Sequence, residues 1–358
     1  MSLGVVSPEL QLIADLCRRA FRADEAAQMD VPAALDWERL LRLARFHRVQ
    51  GLVSHSLGSL PVAPPGEIAA ELSADARVIA ATNLRAAVES RDLLSDFDAA
   101  GIPLLFVKGL TLGALAYSTP LLKMSWDIDL LVAPQQVSAA ARLLLQRGYR
   151  LVLPADFARL EPWHLRRKES VWSHEDDMFV ELHSRLADNP RLIPDIGLGS
   201  PSRCVEVAEG IRLPTFEDDD LFAYLGVHGA SSAWFRLKWI TDFAGFLAGR
   251  SPSEIEQLYK RSLQLGAGRA SAQALLVADR FYGTLTDSGL KGRLESDRPS
   301  RWLARAAIRQ LAGRTEPWEP TESPLGTAAI HWTQLLLLPG VSFKAGELGR
   351  QLSDAVRG

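Results

Sequence analysis

The sequence predicts an α+β protein in which a small mixed sheet, with helices on one side, is flanked by helical regions. Apolar residues recur at helical spacing through the first hundred residues, short strand-like apolar segments follow, and helical spacing then returns to the end of the chain. Recurrence every three or four residues is typical of a helix, and alternation is typical of a strand. We therefore expect an N-terminal helical region over 1–100, an α/β core over 101–207 and a C-terminal helical domain over 208–358.

Three helices are predicted in the N-terminal region. The first begins at Pro8, since proline is favoured at the first position of a helix. The second begins near Asp36, where apolar residues start to recur at helical spacing. A long helix follows from about 67 to 99, and Gly101 after it suits the left-handed conformation that commonly ends a helix.

The remaining elements are shorter. In the core, strands are predicted at 103–107, 127–132, 149–153, 169–174, 178–183 and 203–207, and helices at about 110–117 and 134–147. Gly148 is expected to end the second of these helices. In the C-terminal region, helices are predicted at 221–231, 234–249, 253–265, 268–283 and 299–312, with a final segment near 324–338 and a helix near 343–356.

The overall charge gives no reason to expect a nucleic-acid partner. The formal net charge is −3, whereas nucleic-acid binders usually present a strongly basic face. The best local basic cluster is Arg166-Arg167-Lys168. We therefore expect no nucleic-acid partner.

The cysteines and the hydrophobic segments indicate a protein that stays in the cytoplasm without a membrane contact. Cys17 and Cys204 lie far apart and fit neither a disulfide framework nor a zinc site. The first ten residues lack the basic start and apolar run of a signal peptide. The most hydrophobic window, 103–122, is interrupted by Lys108 and glycines, so it does not fit a membrane span.

Three carboxylates are the candidate metal ligands. Asp127 and Asp129 open a predicted strand and point to the same face, because side chains alternate along a strand. Glu181 is expected on a neighbouring strand, with its position set by the same rule. Carboxylate oxygens suit Mg²⁺, which also binds substrate phosphates. The alternatives are that the Asp-x-Asp triplet arose by chance and that Glu181 pairs with an arginine on the sheet surface.

A Lys-Gly turn before these aspartates is a candidate phosphate site. Lys108 and Gly109 directly follow a predicted strand. Glycine permits close approach of the backbone to a phosphate, and the N–H groups of the next helix point to the same place. The alternative is an ordinary turn with a solvated lysine. His183, beside Glu181, either orients that carboxylate by a hydrogen bond or is a buried histidine with satisfied partners.

The order of these features resembles a known family. A strand, Lys108-Gly109, an apolar helix ending in Tyr117, a basic residue at Lys123, the segment DIDLLV and a later VELH follow in turn. This order resembles a bacterial nucleotidyltransferase family of the superfamily that includes DNA polymerase beta and the antibiotic nucleotidyltransferases. The resemblance extends over roughly residues 35–250, with LAxxHRV upstream and RLKW downstream. It departs from the family at Gly109-Leu110, where Gly-Ser or Gly-Gly is usual.

The resemblance implies specific site residues. It implies a catalytic, metal-binding carboxylate set formed by Asp127, Asp129 and Glu181, and a nucleotide-binding set formed by Lys108, Gly109, Lys123, His183 and Arg236. It also implies Mg²⁺ or Mn²⁺ as cofactor and a nucleoside triphosphate as substrate. Arg236 has a structural alternative, in which it pairs with Asp242 while the neighbouring tryptophans pack in the core.

Two functions are expected on this basis. The first is metal-dependent transfer of a nucleotidyl or related phosphoryl group from a triphosphate to a hydroxyl of a small molecule or peptide. The second is a catalytically weak or inactive module that binds nucleotides or a protein partner. The complete carboxylate set favours the first, whereas the altered turn and the large helical regions favour the second.

Overall fold

A computed structural model describes residues 6–22, 29–117, 119–285, 289–312 and 327–357, without the side chains of 354–357. The helices are α1 Pro8–Arg19, α2 Trp37–Phe46, α3 Gln50–Ser56, α4 Gly66–Ala99, α5 Leu110–Ala116, α6 Val137–Gln146, α7 Leu160–His164, α8 Asp218–Ser231, α9 Leu237–Leu247, α10 Pro252–Gln264, α11 Arg269–Tyr282, α12 Gly289–Ser296, α13 Arg298–Ala312, α14 Ala328–Gln334 and α15 Val341–Arg357. The strands are β1 Leu105–Phe106, β2 Asp127–Leu131, β3 Arg150–Leu153, β4 Glu169–Ser173, β5 Phe179–His183, β6 Ser202–Ala208 and β7 Ile211–Phe216.

The central feature is a mixed sheet of five strands in the order β1-β2-β5-β4-β3. Strands β2 and β5 are parallel, and every other neighbouring pair is antiparallel. The parallel register places Asp129 directly opposite Glu181. The α+β class and the mixed sheet are therefore confirmed.

A second sheet is the two-stranded hairpin β6–β7. The sequence predicts β6 but not β7, which contains Pro214. Proline lacks an N–H to donate and is uncommon inside a paired strand, so the pattern argues against a strand there. The hairpin crosses the predicted boundary between residues 207 and 208, and the division into three regions stays a prediction.

Among the residues that the structure describes, two buried clusters form the core. One cluster lies between the sheet and helices α4 and α6, and includes Phe97, Leu130 and Leu144. The other joins N-terminal helices to C-terminal helices, with Leu16 and Phe222 among its members. The N-terminal and C-terminal helices therefore share one core, and burial of this apolar surface stabilises both.

The helix ends follow the predicted glycines. Gly101 after α4 and Gly148 after α6 both have positive φ, at 67° and 87°, as expected for left-handed caps. Helices α3, α7 and α12 were not predicted, and residues 324–326 of the predicted final segment lie outside the described residues. Within the described ranges, no helix combines the length and the apolar character needed to cross a membrane.

Candidate active site

The candidate site is built on the parallel pair β2 and β5. Asp129 and Glu181 are direct neighbours across this pair, and their side chains lie on the same face of the sheet because register and alternation are fixed. His183 is the next residue of β5 on that face. Ligand atoms of Asp129, Glu181 and His183 all lie within 4.8 Å of one another. The sequence-based expectation that Glu181 approaches the Asp-x-Asp pair from a neighbouring strand is met.

Asp127 lies at the same cavity but farther from this cluster. Asp127 is two residues before Asp129, and the Cα atoms of such residues are about 6.6 Å apart along a strand. Asp127 lines the cavity together with Asp129 and Glu181, and it is not one of the three residues whose ligand atoms cluster. Glu181 therefore belongs with Asp129 and His183 to one compact cluster of ligand atoms, and Asp127 lies beside that cluster on the cavity wall.

Lys108 contacts the carboxylates directly. Its Nζ lies 2.7 Å from Asp129 Oδ1 and 3.4 Å from Glu181 Oε2. Glu181 thus pairs with Lys108 and with His183, at 3.4 Å, and not with a surface arginine. Burial lowers the pKa of Lys108, because it penalises the charged ammonium, but the charges of Asp129 and Glu181 outweigh this and hold the pKa well above its usual value.

The turn after Lys108 requires glycine. Gly109 has φ 63° and ψ −123°, a conformation that residues with a Cβ rarely adopt. A Cβ at this position would meet nothing closer than Asp127 O at 3.6 Å, so the requirement comes from the backbone and not from crowding. The adjacent helix α5 has only seven residues, so we assign no phosphate site to its N-terminus alone.

The carboxylates differ in their proton affinity. Burial raises the pKa of Asp129 to about 6, although Lys108 partly opposes this. Burial also raises the pKa of Glu181, but Lys108 and His183 together lower it below its usual range. For His183, burial lowers the pKa, while the charge of Glu169 and hydrogen bonds to Asp129 and Glu181 raise it to about 9. These contacts favour the protonated form of the histidine, whose Nε2 lies 3.1 Å from Asp129 and 3.4 Å from Glu181.

The donor set fits a divalent cation. Among the described residues, Asp129 Oδ2 is a buried oxygen with no hydrogen-bond partner, and such atoms are costly unless a ligand satisfies them. His183 Nε2 lies 3.1 Å from the other oxygen, Asp129 Oδ1, so Oδ2 is free to bind a metal. Carboxylate oxygens are preferred by Mg²⁺ and Mn²⁺.

The carboxylates line a cavity of about 350 Å³. This volume is within the range of small-molecule sites. Its charged lining comprises the cations Arg48, Lys108, Lys123, Lys168 and Lys238 and the anions Asp127, Asp129, Glu169, Glu181, Asp188 and Asp242. Opposite charges around a polar cavity are suited to a ligand that carries both phosphates and metal ions.

Lys123 lines this cavity but is also part of a buried network. Its Nζ lies 3.2 Å from Asp242 Oδ2, and the side chains are 7% and 6% exposed. The Tyr117 hydroxyl donates to Asp242 Oδ1 at 2.7 Å. The network joins the segment before β2 to helix α9, so Lys123 has a structural role in addition to any contact with a ligand.

Arg236 lies elsewhere. It is not among the residues that line the cavity; its guanidinium donates to the Phe46 carbonyl oxygen and lies 4.8 Å and 5.2 Å from the ring centroids of Phe46 and Phe235. Asp242, the partner considered for Arg236 in the structural alternative, contacts Lys123 and Tyr117. Arg236 instead fastens α2 to the start of α9, where His47 Nδ1 also accepts the Leu237 N–H at 3.2 Å.

Several cavity residues were not assigned a role from the sequence. Lys168 belongs to the basic cluster noted above, and Glu169 follows it at the start of β4. Antiparallel pairing of the predicted strands 169–174 and 178–183 could have placed Glu169 opposite His183, and the two residues are partners in the register. Gln334, from α14, carried no sequence signal for this location.

The geometry brings together the features on which the sequence resembles a nucleotidyltransferase. Acidic residues lie on adjacent strands of a small mixed sheet, and the Lys-Gly turn lies beside them at a charged cavity. A family model described as "Uncharacterised nucleotidyltransferase" matches residues 33–283, and the chain belongs to this family. The match includes the whole segment 35–250 over which the sequence shows its resemblance. No curated protein matches the chain.

Proposed function

We propose that this protein transfers a nucleotidyl group from a nucleoside triphosphate to a hydroxyl group, in a reaction that depends on a divalent metal ion. The observation that carries the proposal is the pairing of Asp129 with Glu181 at the cavity, with one buried Asp129 oxygen free of hydrogen bonds. Membership of the nucleotidyltransferase family supports the reaction class.

Asp127, Asp129 and Glu181 would hold Mg²⁺ or Mn²⁺. A bound divalent ion lowers the pKa of a hydroxyl nucleophile and neutralises charge on the triphosphate and its leaving group. His183 acts on the carboxylates and not on the substrate: its contacts of 3.1 Å to Asp129 and 3.4 Å to Glu181 fix their orientation. Such supporting contacts keep metal ligands in a productive geometry.

The cations of the cavity would bind the triphosphate. Lys108, Lys123 and Lys238 all line the cavity. Burial, reinforced by the charge of Lys123, lowers the pKa of Lys238 to about 7, so an anion bound beside it would stabilise its charged form. Gly109 lets the main chain approach a phosphate where a side chain would otherwise stand.

A small molecule or the end of a peptide is the acceptor that this cavity favours. Its volume of about 350 Å³ accommodates a small ligand better than a nucleic-acid strand. The formal net charge of −3 supplies no general attraction for a polyanion. Both features support a hydroxyl on a compact acceptor.

The proposal is tested by pyrophosphate release and by mass spectrometry of candidate acceptors incubated with each nucleoside triphosphate and Mg²⁺ or Mn²⁺. Asp127→Asn and Asp129→Asn should abolish transfer while the far-ultraviolet circular dichroism stays unchanged. Asp98→Asn, at an exposed position near the end of α4, is the matched control and should keep full activity. Full transfer by Asp129→Asn would overturn the proposal.

A catalytically inactive nucleotide-binding module is the second candidate. It is favoured by the turn Gly109-Leu110, where no side-chain hydroxyl follows the glycine. Thermal stabilisation by a triphosphate together with Mg²⁺, without pyrophosphate release for any acceptor, would support this candidate. Stabilisation followed by release supports the enzyme.

A further inference from the structure

The ammonium group of Lys108 contacts both carboxylates that the proposed metal ion would need, while Asp129 Oδ2 stays without a hydrogen-bond partner among the described residues. Its contacts are 2.7 Å to Asp129 Oδ1 and 3.4 Å to Glu181 Oε2. These two residues are also members of the potential metal cluster, whose ligand atoms span at most 4.8 Å. A divalent ion bound to both carboxylates would lie close to this ammonium, and like charges so close repel strongly.

Lys108 is built so that it can leave these oxygens without unfolding the site. Its ammonium is carried on a flexible four-carbon stem, and its side chain remains 16% exposed towards the cavity. Asp129 and Glu181 do not have to move with the lysine, because each of them also contacts His183. The same cavity offers the room in which a triphosphate would lie.

We propose that Lys108 is an internal counter-ion of the metal site, which a divalent ion must displace and which a triphosphate then binds. Metal and triphosphate therefore bind cooperatively: the metal ion releases the ammonium from the carboxylates, and the phosphates accept it. Lys108 is a positioning residue in this scheme, because it controls when the carboxylates are open to metal. The inference rests on the proposed function and assigns a regulation to the same site.

The first test is Mn²⁺ binding without nucleotide, measured by the electron paramagnetic resonance signal of free Mn²⁺. A neighbouring cation changes the proton affinity of a carboxylate by about 10- to 1,000-fold, so Lys108→Met should bind Mn²⁺ at least about tenfold more tightly than the wild type. Lys108→Arg keeps the charge and should bind within about threefold of the wild type. Lys260→Met, which removes an exposed lysine 2.8 Å from Glu256, should leave the affinity unchanged.

The second test uses the unmodified protein, so it does not depend on how well a variant folds. Acylation of lysines, read by mass spectrometry, should label Lys108 slowly without metal and several-fold faster with Mg²⁺. Addition of a non-hydrolysable triphosphate with Mg²⁺ should protect Lys108 again. Lys123, paired with Asp242 at 3.2 Å, should show no rise with Mg²⁺ alone.

The outcomes separate this inference from the proposed function. Equal Mn²⁺ affinity of Lys108→Met and the wild type, or Lys108 labelling that does not respond to saturating Mg²⁺, would overturn the counter-ion role while metal binding still stands. Absence of Mn²⁺ binding by both proteins at millimolar concentration would overturn the proposed metal-dependent function as well.

Discussion

Replacing Lys123 with methionine should lower the free energy of unfolding by about 3–5 kcal/mol. The substitution leaves Asp242 as a buried charge, and removal of one partner of a buried ion pair typically costs this amount. At the observed separation of 3.2 Å, Coulomb's law with an effective dielectric constant of about 20 gives an attraction of about 5 kcal/mol. Solvent screens this pair little, because the two side chains are only 7% and 6% exposed.

Urea unfolding followed by tryptophan fluorescence measures this loss. The double variant Lys123→Met/Asp242→Asn should be more stable than Lys123→Met alone, because it removes the unpaired charge and keeps an acceptor for the Tyr117 hydroxyl. Lys260→Met, at an exposed ion pair, should leave the stability nearly unchanged. A loss below about 1 kcal/mol for Lys123→Met would refute the structural role of this lysine.

Three further predictions concern the site itself. Asp129→Asn and Glu181→Gln should each abolish the rise in melting temperature that Mn²⁺ produces, while the control Asp98→Asn should retain it. An undiminished rise in either site variant would exclude the replaced residue as a metal ligand. In metal-free buffer, the wild type should be more stable than His183→Gln, and this difference in the free energy of unfolding should be fully present below about pH 6.5. It should decline as the pH rises through about 9, because the folded protein holds the histidine proton more tightly than the unfolded chain does. A difference that stays constant across this interval in urea titrations would contradict the assignment. Gly109→Ala should lower the free energy of unfolding by about 1–3 kcal/mol in the same assay, because alanine is strained at this backbone conformation. Gly58→Ala should lower it far less, since Gly58 has no positive φ and a Cβ there would have no atom within 4 Å. Equal losses for the two variants would argue against the strain.

The face on which each carboxylate lies could be predicted from local sequence rules, whereas the parallel pairing of β2 with β5 that brings them together could not. Alternation along β2 and β5 predicts which side chains share a face of the sheet. Asp129 and Glu181 then meet if these two strands are neighbours. The glycine caps Gly101 and Gly148 were likewise predictable, since each needs only its own backbone conformation. These are the parts of the fold in which short stretches of sequence determine the geometry.

The partners of individual charges were harder to predict. Asp242 contacts Lys123 and Tyr117, and Arg236 contacts the end of α2, because of how α9 packs against two distant segments. Spacing within one helix contains no information about such packing. Helix α3 was missed for a related reason: Gly51 lowers helix propensity, yet a Cβ there would lie 2.4 Å from the Leu122 carbonyl oxygen, so tertiary contact explains the glycine.

The parallel pairing of β2 with β5 has a consequence for how the protein folds. Helices α6 and α7 and strands β3 and β4 all lie between these two strands in the chain, so Asp129 and Glu181 meet only after a long loop has closed. Non-local pairing of this kind slows folding, and a slip of one residue would turn Glu181 to the opposite face. Binding of a metal ion by these two carboxylates would therefore serve as a kinetic marker for completion of the sheet, later than the appearance of helical circular dichroism.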